Sequence, residues 1–173
     1  MELSMKDRIF LYNQYEILKS LKSDDEYEQE QCNYYQEILS EGYKFNYDDL
    51  IEGFDKDIPD SVSQFVLDVL QMYRTLTCSY IELSAAEKEQ INKYDITYHG
   101  FDGNEEGNYY TYSKFVLEKK HDFEEIYNNG DVELNSHCNK VQTYSNMLSN
   151  WNDLGTGRYN TLSLNQMKKT VER

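Results

Sequence analysis

Val62, Val66, Val69, Tyr73, Leu76, Tyr80 and Leu83 recur at intervals of 4, 3, 4, 3, 4 and 3. Residues three and four apart share one face of a helix, so the spacing predicts a helix of about six turns with an unbroken apolar stripe. Pro59 suits its first turn, where the missing N–H would be unpaired anyway. The predicted span is 59–83. In a chain of 173 residues such a helix is the spine that other elements pack against. The expected fold is all-α: a single domain over residues 1–173, built as one bundle of about seven helices around that spine.

The same reading places the other elements. Ser4 with Asp7 forms a capping box for a helix from about Met5 to Leu21, whose apolar face is Leu11, Tyr15, Leu18 and Leu21. A second helix starts after Asp24 or Asp25 and ends at Gly42, which suits a left-handed C-terminal cap. Its buried side is Tyr27, Tyr34, Tyr35, Ile38 and Leu39. A short helix is expected over 46–54, opened by Asn46 and Asp49, and a further turn or two after the Ser84–Glu87 box. Tyr94, Ile96 and Tyr98 alternate with polar residues, so 92–103 reads as an irregular or extended segment. A helix is predicted from about Asn104 to Tyr127, with Asp102 as its cap, then a turn at Asn128–Asp131. His137, Val141, Tyr144, Leu148 and Trp151 predict another helix, and Ser163 with Gln166 caps a last one.

Composition supports a folded chain: 17 Tyr, 7 Phe and 1 Trp offset an apolar fraction of 39%. Three scattered cysteines, Cys32, Cys78 and Cys138, read as reduced thiols of a cytoplasmic protein. The N-terminal residues carry no apolar core of a signal peptide, and no stretch is long and apolar enough to span a membrane. The net charge is −15, with 16 acids against 6 bases in residues 1–60. Asp24, Asp25, Glu26, Glu28 and Glu30 form one acidic cluster, and Asp48 and Asp49 lie in a second. Such a surface repels nucleic acid and anionic membranes and can attract a basic partner.

Reactive patterns are sparse. The three histidines, His99, His121 and His137, form no i, i+4 pair, and no metal site or cofactor is expected. There is no nucleophile elbow, and no glycine-rich loop of the kind that cradles phosphates. Gly155-Thr-Gly157-Arg158 is too short for one. His99 and Asp102 share a turn and could meet as base and acid, with Arg158 as an anion clamp.

Arg8–Tyr15, Ile38–Tyr43, Asp68–Tyr73, Gly100–Asp102, Met147–Trp151 and Leu162–Asn165 together resemble the YfbU family of small bacterial proteins. The set occurs in the family's order and covers most of the chain. The resemblance implies a mostly helical, cytoplasmic protein and brings no biochemical role or catalytic residue to carry over. The chain departs from the family's better-known members in its Tyr, Asn and acidic content and in the acidic stretch 24–30.

The function expected is that of a non-enzymatic interaction or regulatory protein, a homo-oligomer with a protein partner, with Tyr12, Tyr15, Tyr43, Phe101 and Trp151 as anchors. A sharper variant is an acidic mimic of nucleic acid that occupies a basic groove on a nuclease or DNA-binding protein. A different class is a hydrolase-type enzyme using His99, Asp102 and Arg158.

Overall fold

Ser4 opens the first helix, α1 (Met5–Leu21), with the reciprocal box its sequence predicts. The Asp7 amide donates to Ser4 Oγ at 3.3 Å, and the Ser4 amide donates to Asp7 Oδ2 at 2.8 Å. These bonds hold the Asp7 carboxyl below the usual carboxylate range. Asp25 caps α2 (Glu26–Glu41), and Gly42, at φ +74°, ends it. Arg8 of α1 reaches across to that end, with Nε donating to Leu39 O at 2.6 Å and Nη2 to Ser40 O at 2.7 Å. A cation on the last carbonyls of a helix complements its dipole. A Cβ on Gly42 would sit 2.9 Å from that guanidinium. A 3-10 helix, Lys44–Ile51, follows where a short helix is expected.

The structure is a computed structural model that describes residues 1–127, 134–157 and 160–172. The chain divides into two compact units, Met1–Lys56 and Asp57–Arg173. The first is the α1–α2 pair with the 3-10 helix.

The spine of the second unit is α3 (Asp60–Glu82), within a residue of the predicted bounds at each end. Val66, Val69, Leu70, Met72, Tyr73 and Leu76 are buried along it. Burial extends beyond the predicted stripe to Met72, Thr75 and Ser79, because the helices at 107–114, 124–127, 141–153 and 164–171 all pack on this one. The buried Thr75 and Ser79 hydroxyls both find partners. Thr75 Oγ1 donates to Gln71 O, and Ser79 Oγ donates to Thr75 O at 2.6 Å while accepting from the Leu162 amide at 2.8 Å. That last bond fixes the approach to α8 (Leu164–Val171), which the Ser163–Gln166 box opens as predicted. The Ser84–Glu87 box likewise opens α4 (Ala85–Lys88).

The predicted helix from Asn104 to Tyr127 is corrected. It begins at Gly107 as α5 (Gly107–Lys114), widens into a π turn over Phe115–Lys119, and stops. His121 and Phe123 then adopt φ of 55° and 62°, and α6 (Glu124–Tyr127) restarts the helix. The break turns Phe123 and Ile126 into the core. The Arg74 guanidinium lies 4.2 Å from the centre of the Phe123 ring and pairs with Glu125 at 3.0 Å. The last long helix is also corrected: α7 runs Val141–Asp153, and His137, at φ 51°, stands outside it and exposed. The Asn128–Asp131 turn lies outside the described residues.

Segment 92–103 is irregular, as expected. Its end is pinned by one parallel bridge, with the Phe101 amide donating to Leu134 O at 3.2 Å and the Ser136 amide to Phe101 O at 3.0 Å. Among the described residues no strand forms. Tyr73, Tyr98, Phe101 and Tyr144 meet at the centre, with ring centroids 5.3 to 6.1 Å apart in the close pairs. Edge-on and stacked pairs at this range add to simple burial.

Candidate functional site

Polar chemistry in the second unit concentrates where the 98–106 turn meets the segment leading into α7. Asp102 and Glu106 are both buried there. Asp102 Oδ1 accepts from the Asn104 amide at 2.8 Å and the Glu105 amide at 3.3 Å, closing its own turn. Glu106 Oε2 accepts from the Asp102 amide at 3.0 Å. Glu106 Oε1 accepts from the Lys140 and Val141 amides, each at 2.7 Å. One carboxylate therefore caps α7 from 34 residues away, where a negative charge suits the helix dipole. Asn135 Oδ1 adds a second clasp, accepting from the Gly103 and His137 amides at 3.1 Å each. Sequence reading missed Glu106, because a cap supplied across the fold leaves no local signature.

The candidate His99–Asp102 pair does not form. His99 Nε2 lies 2.8 Å from Tyr94 O, and its ring stacks on Tyr94 with centroids 4.0 Å apart. Asp102 spends its carboxylate on backbone amides and bonds the turn 102–106 rather than capping α5 directly. Arg158 lies outside the described residues. His99 does line a cavity of about 20 Å³, with Tyr73, Tyr94, Asp95, Lys140 and Tyr144 among its walls. That is room for a single water. Among the described residues no group of three His, Cys, Asp or Glu is placed to hold a metal ion.

Two buried tyrosines stand out electrostatically. Burial pushes the Tyr98 hydroxyl far above the ordinary value, and Ser113 beside it works weakly the other way. Among the described residues no hydrogen-bond partner satisfies that hydroxyl; the Ser113 hydroxyl donates instead to Tyr110 O. Burial raises Tyr144 as well, helped by Tyr73 and Tyr98. Both groups favour the neutral form in the fold, so their contribution is complete below about pH 10 and is lost as pH rises past it. Stability is expected to fall by about 1.4 kcal/mol per pH unit for each such group above pH 10. Denaturant midpoints taken from pH 8 to 11 check this. A flat profile would mean that Tyr98 and Tyr144 ionise freely in the native state.

The interaction residues divide into two sets. Phe101 and Trp151 are corrected: at 0% and 4% exposed they are core residues and offer no contact surface. Large aromatics serve cores as readily as interfaces. In the first unit Tyr12 and Tyr43 are exposed, and Tyr15 is half-buried against Tyr35 with centroids 5.0 Å apart. Of the acidic residues, Asp24, Glu26 and Glu30 are exposed, Glu28 is half-buried, and Asp25 is used as the α2 cap. Asp48 pairs with the Met1 ammonium at 2.9 Å. Asp49 accepts from Tyr34 and Asn46, which hold it below the usual carboxylate range. Those two carboxylates are already engaged inside their unit.

The first unit also exposes large apolar side chains that sequence reading passed over or buried. No residue of α1 is buried. Phe45 is 97% exposed, and Phe54, Leu21 and Tyr27 are each exposed over about three quarters of their area or more.

Residues 1–172 match the model of the YfbU domain. The chain is also similar to UPF0304 protein MJECS11 of Methanocaldococcus jannaschii, at 33% identity over 159 residues, which covers 91% of this chain and 92% of the relative.

Proposed function

Because the chain belongs to the YfbU family, a family that brings no reaction with it, we propose from its surface that it acts as a protein–protein interaction module with a regulatory role. The observation that carries this reading is α1, a helix of 17 residues with none buried and with Phe10, Ile17 and Leu21 each more than half exposed. A helix of this length draws most of its stability from burying an apolar face. Tyr12, Tyr43 and Phe45 extend the exposed set within the same unit. The buried carboxylates of the second unit support the reading from the other side, since their oxygens are committed to backbone amides. A reducing cytoplasm suits three free cysteines. Among the described residues no helix is long and apolar enough to cross a membrane.

The test is site-specific photo-crosslinking of the full chain in living cells. A crosslinker at Phe45 or Leu21 is expected to capture one defined protein, whether foreign or a second copy, and one at exposed Glu89 is expected to capture none. Equal, diffuse labelling from all three positions would overturn the reading.

A further inference from the structure

We propose that the outer face of α1 is a self-pairing seam, through which a second copy of this chain docks antiparallel about a two-fold axis. This rests on the interaction reading and names its partner.

Leu11 and Tyr15 are half-buried and lie on the side of α1 that meets α2. On the opposite side Phe10, Gln14, Ile17 and Leu21 follow one another at intervals of 4, 3 and 4. Such spacing is that of a helix-pairing seam. Phe10 is 64%, Ile17 53% and Leu21 75% exposed. The intervals read the same in both directions. An antiparallel second copy therefore sets Phe10 against Leu21 and Gln14 against Ile17, and then repeats the pairing by symmetry. Self-complementarity of this kind is what an isologous interface requires.

Charge favours the same occupant. The chain carries −15 overall, so most of its faces repel a second copy. α1 does not share that excess of acid: it carries Lys6, Arg8 and Lys19 against Asp7 and Glu16. Glu16 is held by Gln36 of α2 at 2.6 Å, and Arg8 is turned onto the end of α2. Lys6 stands one turn before Phe10, and Asp24 stands just beyond Leu21. The antiparallel register brings Lys6 of one copy to Asp24 of the other, twice. The apolar part of the seam is Phe10, Ile17 and Leu21, with exposed Leu18 at its edge. It is smaller than the roughly 800 Å² per partner of a standard interface, which fits a reversible, concentration-dependent dimer.

The test is sedimentation velocity and light scattering on the full chain over a range of concentrations. The wild type is expected to be dimeric. Phe10→Glu with Ile17→Glu is expected to be monomeric at the same concentrations, with unchanged helicity because both side chains are exposed. Lys6→Glu alone is expected to weaken the dimer about tenfold, since symmetry counts each reversal twice. Adding Asp24→Lys is expected to restore it to within a few-fold, a rescue that reads register and does not depend on the double glutamate variant folding. A wild type that stays monomeric, or a dimer indifferent to all these changes, would overturn the proposal. A monomer whose α1 positions crosslink to a foreign protein overturns self-pairing and leaves the interaction reading standing. A monomer whose α1 positions crosslink to no protein at all overturns both readings.

Discussion

Gly100→Ala is expected to destabilise the second unit by about 4 kcal/mol or more, the scale reserved for steric conflict that cannot relax. Gly100 has φ +74°, and a Cβ built there would lie 1.8 Å from Leu134 O and 2.2 Å from Leu134 C. Both obstacles are backbone, so no side chain can swing away. The backbone around it cannot shift freely either. Phe101, the next residue, is bonded to Leu134 and Ser136, and the Tyr144 hydroxyl donates to Gly100 O at 3.0 Å. Yielding would break the bridge and open the central aromatic cluster. Denaturant unfolding of purified variants checks the size of the effect. A loss under about 1 kcal/mol would show that the 98–101 turn is loosely held. Gly155→Ala is the useful control. Gly155 also has a positive φ, yet nothing lies within 4 Å of its added Cβ, so only the smaller conformational cost applies.

The second large effect is expected at Glu106. Glu106→Ala leaves the Asp102, Lys140 and Val141 amides without their acceptor at a site where the side chain is 7% exposed. Bonds to a charged acceptor are worth more than neutral ones, and orphaned buried donors add their own desolvation cost. A loss of about 3 to 5 kcal/mol follows. Glu106→Gln separates charge from shape. Its single oxygen can serve the start of α7 or the Asp102 amide but not both, and its NH2 meets a donor on the other side. About half the alanine loss is expected, together with faster exchange of the Lys140 and Val141 amides. If glutamine matches wild type in both measurements, the carboxylate is not what holds the two segments together.

Elements whose signals lie within one turn of the chain were legible in the sequence. The boxes at Ser4, Ser84 and Ser163, the Asp25 cap and Gly42 set their helix ends where local chemistry placed them. The α3 stripe did the same for the spine. Failures occurred where distant contacts override local pattern. Tyr109, Tyr112 and Val116 carry a helical rhythm toward Phe123, but His121 and Phe123 leave helical backbone so that Phe123 can pack beneath Arg74. His137 continues the apolar spacing of α7, yet the helix starts at Val141, where Glu106 supplies the cap. The candidate site suffered from the same limit. Residue type nominated Phe101 and Trp151 as anchors, and only packing shows them to be core. The reverse error hid Phe10 and Ile17. Their stripe is as regular as the inner one, and a helix with two apolar faces gives no sign of which one meets its own neighbour.

The bridge at Phe101 also bears on how the second unit assembles in time. Phe101–Asn135 and Glu106–Val141 close a loop of more than thirty residues. Bringing such ends together costs roughly 3 kcal/mol of chain entropy before any contact rewards it. The early collapse is therefore local: α3 forms on its own stripe, and α7 and α8 meet across a short connection. The 98–106 clasp is left for last, on the native side of the rate-limiting step. Mutations there should leave the refolding rate nearly unchanged and act almost wholly by speeding unfolding. The clasp then sets the lifetime of the native state rather than the speed of reaching it.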